Sequence, residues 1–271
     1  LVALGILLLI WPAPAVAGLL ASELVVRAQD GAGYRLHDAA QAQAQDDLRS
    51  SLNVTQHRQI FEHLAERIAQ TEAGSGNLGL EEACRHHMEQ IFLDLASHND
   101  LTGLRDLVAA ARPQLGRSAR LARWLDFYDG FADVRTYEYA RGIPALERLA
   151  ALADLELKLR IQVQNALGNA AMLRSQFEPA LGYYREVQQL AASARDLFYQ
   201  AVAQANIGII SIESGEYEQA RAQFRESLGG FRALGDRHRE AHALYHLGRA
   251  ELQLGAWAAA QHAFGQAIPL H

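Results

Sequence analysis

The feature that most constrains the fold of this chain is a 40-residue repeat in its last third. The pair Leu167-Gly168 recurs as Ile207-Gly208 and again as Leu247-Gly248. An alanine follows each glycine after 12 residues, and an aromatic residue follows each alanine after four; these positions are Ala180 and Tyr184, Ala220 and Phe224, and Ala260 and Phe264. Self-similarity at a fixed period is typical of proteins built from stacked structural units.

Each repeat is predicted to hold two helices separated by a short break. Glycine and small or polar residues interrupt the helical pattern at Arg174-Ser175-Gln176, Ser214-Gly215-Glu216 and Leu254-Gly255-Ala256. One helix pair cannot bury its own apolar stripe, so neighbouring pairs must stack. The predicted fold class is mainly α, an α–α superhelical solenoid with clear repeats at about 161–200, 201–240 and 241–271.

These positions resemble the tetratricopeptide repeat family, which places a large residue and a glycine in the first helix of each unit (helix A). A small residue and an aromatic follow in the second (helix B). Gly208 then lets helix B of its unit come close, Ala220 keeps the crossing tight and Phe224 fills the space between units. The period exceeds the family's usual ~34 residues, and we expect the extra length at Arg232–Glu240.

The resemblance also implies a binding surface, because helix A lines the concave face of tetratricopeptide arrays at positions two, five, nine and twelve. A protein or peptide would bind there, since amide, apolar and arginine side chains suit an extended chain or a helix. An unselected solenoid surface is the alternative interpretation. With the glycine as position eight, the predicted partner-binding residues are Gln162, Asn165, Asn169, Met172, Val202, Ala205, Ile209, Ile212, His242, Tyr245, Arg249 and Leu252.

Composition favours an all-α protein without catalytic chemistry. Half of the residues are apolar, and the net charge of −6 argues against a broad nucleic-acid-binding surface. Lys158 lies on an apparent helix without the glycine-rich loop that a phosphate-binding motif needs. We therefore expect no enzymatic activity and no cofactor in this chain.

Helical linker hairpins are expected between about residues 51 and 120, with a loop at Thr71–Gly79. The repeat array would then cover 121–271 and begin with one or two degenerate repeats between Trp124 and Leu152, in which Ala140 or Ala145 takes the small-residue role. Apolar residues spaced by three and four mark the linker helices. They are Ile60, Leu64 and Ile68 in one segment and Met88, Ile91, Phe92 and Leu95 in the next.

The first 50 residues allow two interpretations. The apolar run Leu1–Ile10 is too short for a membrane span of ~20 residues, but it suits a signal peptide cleaved after Ala15-Val16-Ala17. Alternatively, residues 1–50 form a winged-helix-like segment. Its hairpin strands would be Val25–Ala28 and Tyr34–Asp38, and helices would precede and follow them.

The second interpretation rests on another resemblance. The run Leu19–Arg27 followed by Gly33-Tyr34-Arg35-Leu36-His37-Asp38 resembles the end of the winged-helix domain in signal-transduction ATPases with numerous domains, bacterial relatives of NB-ARC regulators. In that family this segment links the nucleotide-binding core to a repeat array. The resemblance implies that His37 contacts bound nucleotide and that an ATPase domain lies upstream in the same polypeptide. Alternatively, His37 only ends a strand and caps the next helix.

Two clusters of histidine and cysteine residues are candidate metal ligands. His238, His242 and His246 share one helix face at i, i+4 and i+8, but the glutamate of a zinc-protease helix is absent. We expect His242 on the concave surface and His246 near the repeat interface. The second cluster is Cys84, His86 and His87, which we interpret as part of a packed helix. The sequence therefore predicts no metal site.

The leading functional hypothesis is a non-catalytic, cytoplasmic protein-interaction and sensor arm of a multidomain bacterial signalling ATPase. The alternative is an exported, periplasmic repeat scaffold that loses residues 1–17 as a signal peptide. A DNA-binding regulator is a third hypothesis, but basic residues are scarce in Pro14–Leu24. Because the third repeat ends at His271 without a polar capping helix, we expect the sequence to be a fragment.

Overall fold

The computed structural model describes residues 25–27, 34–36, 52–70 and 78–270. Two short strands, β1 (Val25–Arg27) and β2 (Tyr34–Leu36), pair antiparallel with Val25 opposite Leu36. The rest of the predicted winged-helix-like segment, including His37, lies outside the described residues, as do the residues of the predicted signal peptide.

Helices make up almost all of the described chain. None of them combines the length and hydropathy needed to cross a membrane. They are α1 (Val54–Gln70), α2 (Leu78–Ser97), α3 (Leu101–Leu115), α4 (Ala119–Arg135), α5 (Tyr139–Ala150), α6 (Leu157–Leu173), α7 (Phe177–Ala194), α8 (Leu197–Glu213), α9 (Tyr217–Leu234), α10 (Arg237–Gln253) and α11 (Trp257–Ala267), with a 3₁₀ turn at Ile268–Leu270.

The chain divides into two units, Leu1–Ala122 and Arg123–His271. In the first unit, Asn53 and Gln56 cap α1 reciprocally, each side-chain oxygen accepting a bond from the other's backbone N–H at 3.0 Å. All seven apolar residues predicted to mark the two linker helices are buried, three in α1 and four in α2. The helix α2 begins at Leu78, so Leu78 and Gly79 are helical and do not belong to the predicted loop Thr71–Gly79.

The second unit contains the repeats, as the helix pairs α6–α7, α8–α9 and α10–α11. Each predicted break falls between the two helices of a pair. Ala220 and Phe224 are fully buried, and a Cβ added at Gly208 would lie 2.9 Å from Cζ of Phe224. Glycine is thus required because the aromatic ring of helix B packs directly on helix A. This contact confirms the predicted role of the repeated glycine.

A degenerate repeat is formed by α4 and α5, and the structure sets its register, which the sequence leaves open. Gly130, Gly142 and Leu146 keep the spacing of the glycine, alanine and aromatic positions. A Cβ at Gly142 would lie 2.9 Å from the carbonyl oxygen of Gly130, so Gly142 is the small residue of the crossing. Ala140 is exposed and Ala145 only half-buried; both were wrong candidates because glycine was not considered in the alanine position.

The extra length of the repeat lies in its helices. Of the segment Arg232–Glu240, only Gly235 and Asp236 are non-helical, while α9 runs for 18 residues. Gly235 takes a left-handed conformation (φ 68°), and the carboxylate of Asp236 accepts a bond from the backbone N–H of Arg239 at 3.0 Å. A two-residue turn therefore ends one helix and caps the next, and the other residues of Arg232–Glu240 lengthen the two helices.

Candidate partner-binding groove

Helices α4, α6, α8 and α10 of the second unit form a surface that we call the A-helix groove. A cavity of about 300 Å³ lies in it, at the lower end of the ~300–1,000 Å³ typical of ligand sites. Three of the predicted partner-binding residues, Asn169, Met172 and Ile209, line this cavity together. Its other lining residues are Phe131, Val134, Arg135, Ala166, Leu173, Tyr184 and Asn206.

The amide of Asn169 is oriented by the helix B behind it. The Tyr184 hydroxyl donates a 2.8 Å hydrogen bond to Oδ1 of Asn169. Tyr184 is buried, and burial raises the pKa of its hydroxyl, which keeps this donor protonated. Because the tyrosine fixes the oxygen, the amide group of Asn169 has a defined orientation at the cavity wall.

One helical turn earlier, Asn165 occupies the same face of α6. Its side chain is half-buried, and its Oδ1 has no hydrogen-bond partner among the described residues. An acceptor shielded from solvent without a partner costs free energy. A backbone N–H of a bound peptide would satisfy it.

Three predicted groove residues are more covered than expected. Gln162, Ala205 and Ile212 are only 4%, 8% and 7% exposed. They pack between helices of the stack, so their contribution to an accessible binding surface was overestimated. Val202, Met172 and Ile209 are half-buried and keep an accessible apolar face.

The predicted residues of α10 are more open. His242, Tyr245 and Leu252 are exposed, and Arg249 is half-buried. Nη2 of Arg249 lies 3.5 Å from Oε1 of Glu213 at the end of α8. A pair at this distance between partly exposed groups is weak, so Arg249 can be recruited by a carboxylate of a partner.

His246 lies beneath this surface. Its ring stacks on Phe224 with centroids 5.5 Å apart and planes 11° apart, and it meets the His242 ring at 4.5 Å. Burial, reinforced by the positive charge of His242 and Arg249, lowers the pKa of His246 from 6.5 to about 4. The imidazole is therefore neutral at neutral pH and acts as an aromatic packing group.

The arrangement offers amides and apolar contacts in the cavity and arginines at both ends of the groove. Arg135 lies at the α4 side, 6.0 Å from the Phe131 ring centre, and Arg249 lies on α10. Asparagine side chains can bond a peptide backbone in both directions, while arginine recognises carboxylates. Such a surface can hold an extended peptide with one apolar side chain in the cavity.

Sequence reasoning missed several lining residues. Asn206 stands at repeat position six, outside the four positions that were considered. Phe131, Val134 and Arg135 belong to the degenerate repeat, whose register was not assigned. The spacing from Gly130, which matches that of Gly168, could have identified them.

In the first unit, sequence reasoning also missed His57, which meets His86 and His87. Cys84 of the same predicted cluster is fully buried, and burial raises the pKa of its thiol to about 12. The predicted packing of Cys84 is thus observed, whereas the two histidines have a third histidine as their neighbour.

Comparison with known sequences identifies the repeats. Residues 199–271 match the tetratricopeptide repeat family. Regulatory protein AfsR of Streptomyces coelicolor is 27% identical over 155 residues, which cover 55% of this chain and 15% of that protein. The chain thus spans only a small part of the length of this relative.

Solved structures agree on the fold. BtubC from P. vanneervenii has a TM-score of 0.61 at 15% identity, with 80% of this chain and 89% of that chain covered. A Rap protein complexed with competence and sporulation factor has a TM-score of 0.59 at 14% identity, with 86% and 75% covered. A signal-transduction ATPase with a tetratricopeptide repeat sensor, from Pyrococcus horikoshii, has a TM-score of 0.60 at 13% identity, with 98% and 40% covered. The described repeats therefore share the stacked helical fold of these structures.

Proposed function

We propose that the A-helix groove binds an extended peptide or protein segment, and that the chain is the non-catalytic sensor arm of a multidomain bacterial signalling ATPase. The observation that carries the binding proposal is the cavity of about 300 Å³. Asn169, Asn206, Met172 and Ile209 are among the residues that line it. An apolar side chain of the partner fills this cavity while asparagine amides bond its backbone.

A charged side chain and a polar side chain without a hydrogen-bond partner support this mode of binding. Oδ1 of Asn165, one helical turn before Asn169, is a shielded acceptor without a partner among the described residues, and Arg249 offers a guanidinium that Glu213 holds only loosely. A peptide that places a backbone N–H at Asn165 and a carboxylate at Arg249 would satisfy both. A partner with acidic and apolar residues therefore fits best.

Three likenesses support the sensor-arm proposal. AfsR is named a regulatory protein, and the Pyrococcus horikoshii structure joins a tetratricopeptide sensor to a signal-transduction ATPase. The motif Tyr34-Arg35-Leu36-His37-Asp38 resembles the segment between such an ATPase and its repeats. In a cytoplasmic protein of this kind, His37 would contact the nucleotide of an upstream domain.

Regulation by the arm requires that the partner bind two states of the whole protein unequally. The repeats can hold the ATPase inactive only if the arm without a bound partner stabilises the inactive state. Partner binding to the A-helix groove would then shift the equilibrium toward the active state. The chain itself contributes recognition, and the upstream domain contributes hydrolysis.

The test uses a polypeptide extended upstream from the native reading frame, with peptides selected by display against the 271-residue chain. A selected peptide is expected to change ATP turnover, and Ile209→Asp or Asn206→Ala should abolish this response. Gln219→Asp, on the exposed face of α9, is the matched control and should retain it. His37→Ala should weaken nucleotide binding in the same polypeptide.

Equal peptide responses in Ile209→Asp, Asn206→Ala and wild type would contradict binding in the groove. An upstream sequence that lacks a nucleotide-binding motif would contradict the sensor-arm proposal. A start methionine with a basic segment just before Leu1 would instead support the exported scaffold. Unchanged nucleotide affinity in His37→Ala would leave that histidine with a structural role only.

A further inference from the structure

Three histidines meet in the first unit, between the first turn of α1 and the middle of α2. His57 comes from α1, and His86 and His87 are neighbours on α2. One ring nitrogen of each lies within 4.8 Å of the corresponding nitrogens of the other two. Nδ1 of His57 and Nδ1 of His87 lie 2.8 Å apart.

The cluster is shielded from solvent on two sides. His57 and His87 are 4% and 8% exposed, while His86 is half-buried. A neutral imidazole has one nitrogen lone pair available for a metal ion, and the half-buried side leaves a path for the ion to enter.

The local charge is compatible with a cation. Arg85 is adjacent in sequence, but its Nη1 lies 2.9 Å from Oε2 of Glu89 and its Nε lies 3.2 Å from Oε1 of Glu82. These two carboxylates balance the guanidinium, and Glu82 also pairs with Arg120. A divalent ion between the histidines would therefore not face an unbalanced positive charge.

We propose that His57, His86 and His87 form a zinc-binding site. Nitrogen ligands of this kind suit Zn²⁺, which takes three protein ligands and keeps an open fourth position in many sites. Zinc–nitrogen bonds of ~2.0–2.1 Å at tetrahedral angles separate ligand nitrogens by about 3.3 Å. The His57 and His87 nitrogens, which are 2.8 Å apart, must move apart slightly, which side-chain rotation achieves.

The ion would replace the direct hydrogen bond between His57 and His87 with bonds from both rings. Because the ligands come from two helices, zinc would hold α1 against α2 and stabilise the folded first unit. The fourth position, on the side of the half-buried His86, would hold water or a ligand from outside. This site is independent of the A-helix groove and of the proposed sensor function.

The test is zinc titration of the 271-residue chain by calorimetry, with metal content measured after dialysis. One zinc ion per chain and a higher melting temperature with zinc chloride are expected. His86→Asn, at the half-buried ligand, should weaken zinc affinity by at least about 100-fold, since even outer-shell changes cost 10–100-fold. The double variant His57→Asn/His87→Asn should bind no zinc at this site.

The matched control is His238→Asn/His242→Asn, which removes the histidine pair spaced by four on α10 and should retain full affinity. Substoichiometric zinc in the wild type, or undiminished affinity in His86→Asn, would overturn the proposal. Loss of binding in the α10 control would do the same. Should the double variant fail to fold, cobalt absorption decides: the wild type should show a tetrahedral Co²⁺ spectrum that His86→Asn lacks.

Discussion

At the scale of the residue, His246 shows how the groove tolerates a buried ionisable group. Its ring is 8% exposed, stacked on Phe224 and edge-on to Tyr245. A charged imidazole there would lose hydration and would face His242 and Arg249. The sequence predicts the position of His246 near the repeat interface, but its protonation state depends on neighbours from two helices.

The depressed pKa of His246 makes stability depend on pH. Between about 4 and 6.5, the unfolded state binds a proton that the folded state excludes, so the free energy of unfolding falls as pH falls through this window. The loss should be on the order of 2 kcal/mol. Urea unfolding at a series of pH values measures it.

The control is His246→Phe, which keeps a ring on Phe224 and removes the titrating nitrogen. This variant should lose less stability than the wild type between pH 6.5 and 5. Parallel pH profiles for the two proteins would show that folding does not lower the pKa of His246.

At the scale of the element, the repeat depends on the contact between a helix A glycine and the aromatic ring of helix B. Gly168 faces Tyr184, Gly208 faces Phe224 and Gly248 faces Phe264, with added Cβ atoms at 2.6, 2.9 and 2.6 Å from the rings. Such distances force a shift of the ring or of a helix. The same contact recurs in three units, which explains why the glycine and the aromatic residue recur together in each repeat.

Two glycine-to-alanine substitutions test this contact. Gly208→Ala should lower the free energy of unfolding by about 1–3 kcal/mol, because the new methyl overpacks the Phe224 ring. Gly229 lies inside α9, where an added Cβ would meet nothing within 4 Å. Gly229→Ala should therefore raise the free energy of unfolding by about 0.8–1 kcal/mol through helix propensity alone. Chemical denaturation measures both; stabilisation by Gly208→Ala would show that the ring does not pack there.

Sequence patterns predict the elements of the second unit well but not all of their bounds. The breaks at Ser175, Gly215 and Gly255 are correct because each residue takes a left-handed backbone conformation, which ends a helix. Tyr137 takes the same conformation at φ 65°, although tyrosine carries no such signal. The helix break at Tyr137 was therefore not predicted, although the degenerate repeat around it was.

At the scale of the whole molecule, the A-helix groove exists only because consecutive helix pairs stack. Phe131, Asn169 and Ile209 come from three helices, yet they line one cavity. Counting positions on each helix predicts Asn169, Met172 and Ile209 as neighbours. It cannot predict that Ala205 and Ile212 are covered, because the packing of adjacent helices decides which residues remain accessible.

The histidine cluster lies beyond sequence reasoning for a related physical reason. His57 is 30 residues from His87, and only the pairing of α1 with α2 brings them together. No spacing rule for metal ligands connects a lone histidine to an adjacent pair on another helix. The three-dimensional contact is the first observation that indicates this site.

The most direct test of the account is methionine-methyl NMR of the chain during titration with a display-selected peptide. The chain has two methionines: Met172 lines the groove cavity, and Met88 is fully buried in the first unit. If the peptide binds in the A-helix groove, the Met172 methyl signal shifts to saturation while the Met88 signal stays in place. Saturable binding that leaves Met172 unchanged would contradict the assignment of the A-helix groove as the partner-binding site.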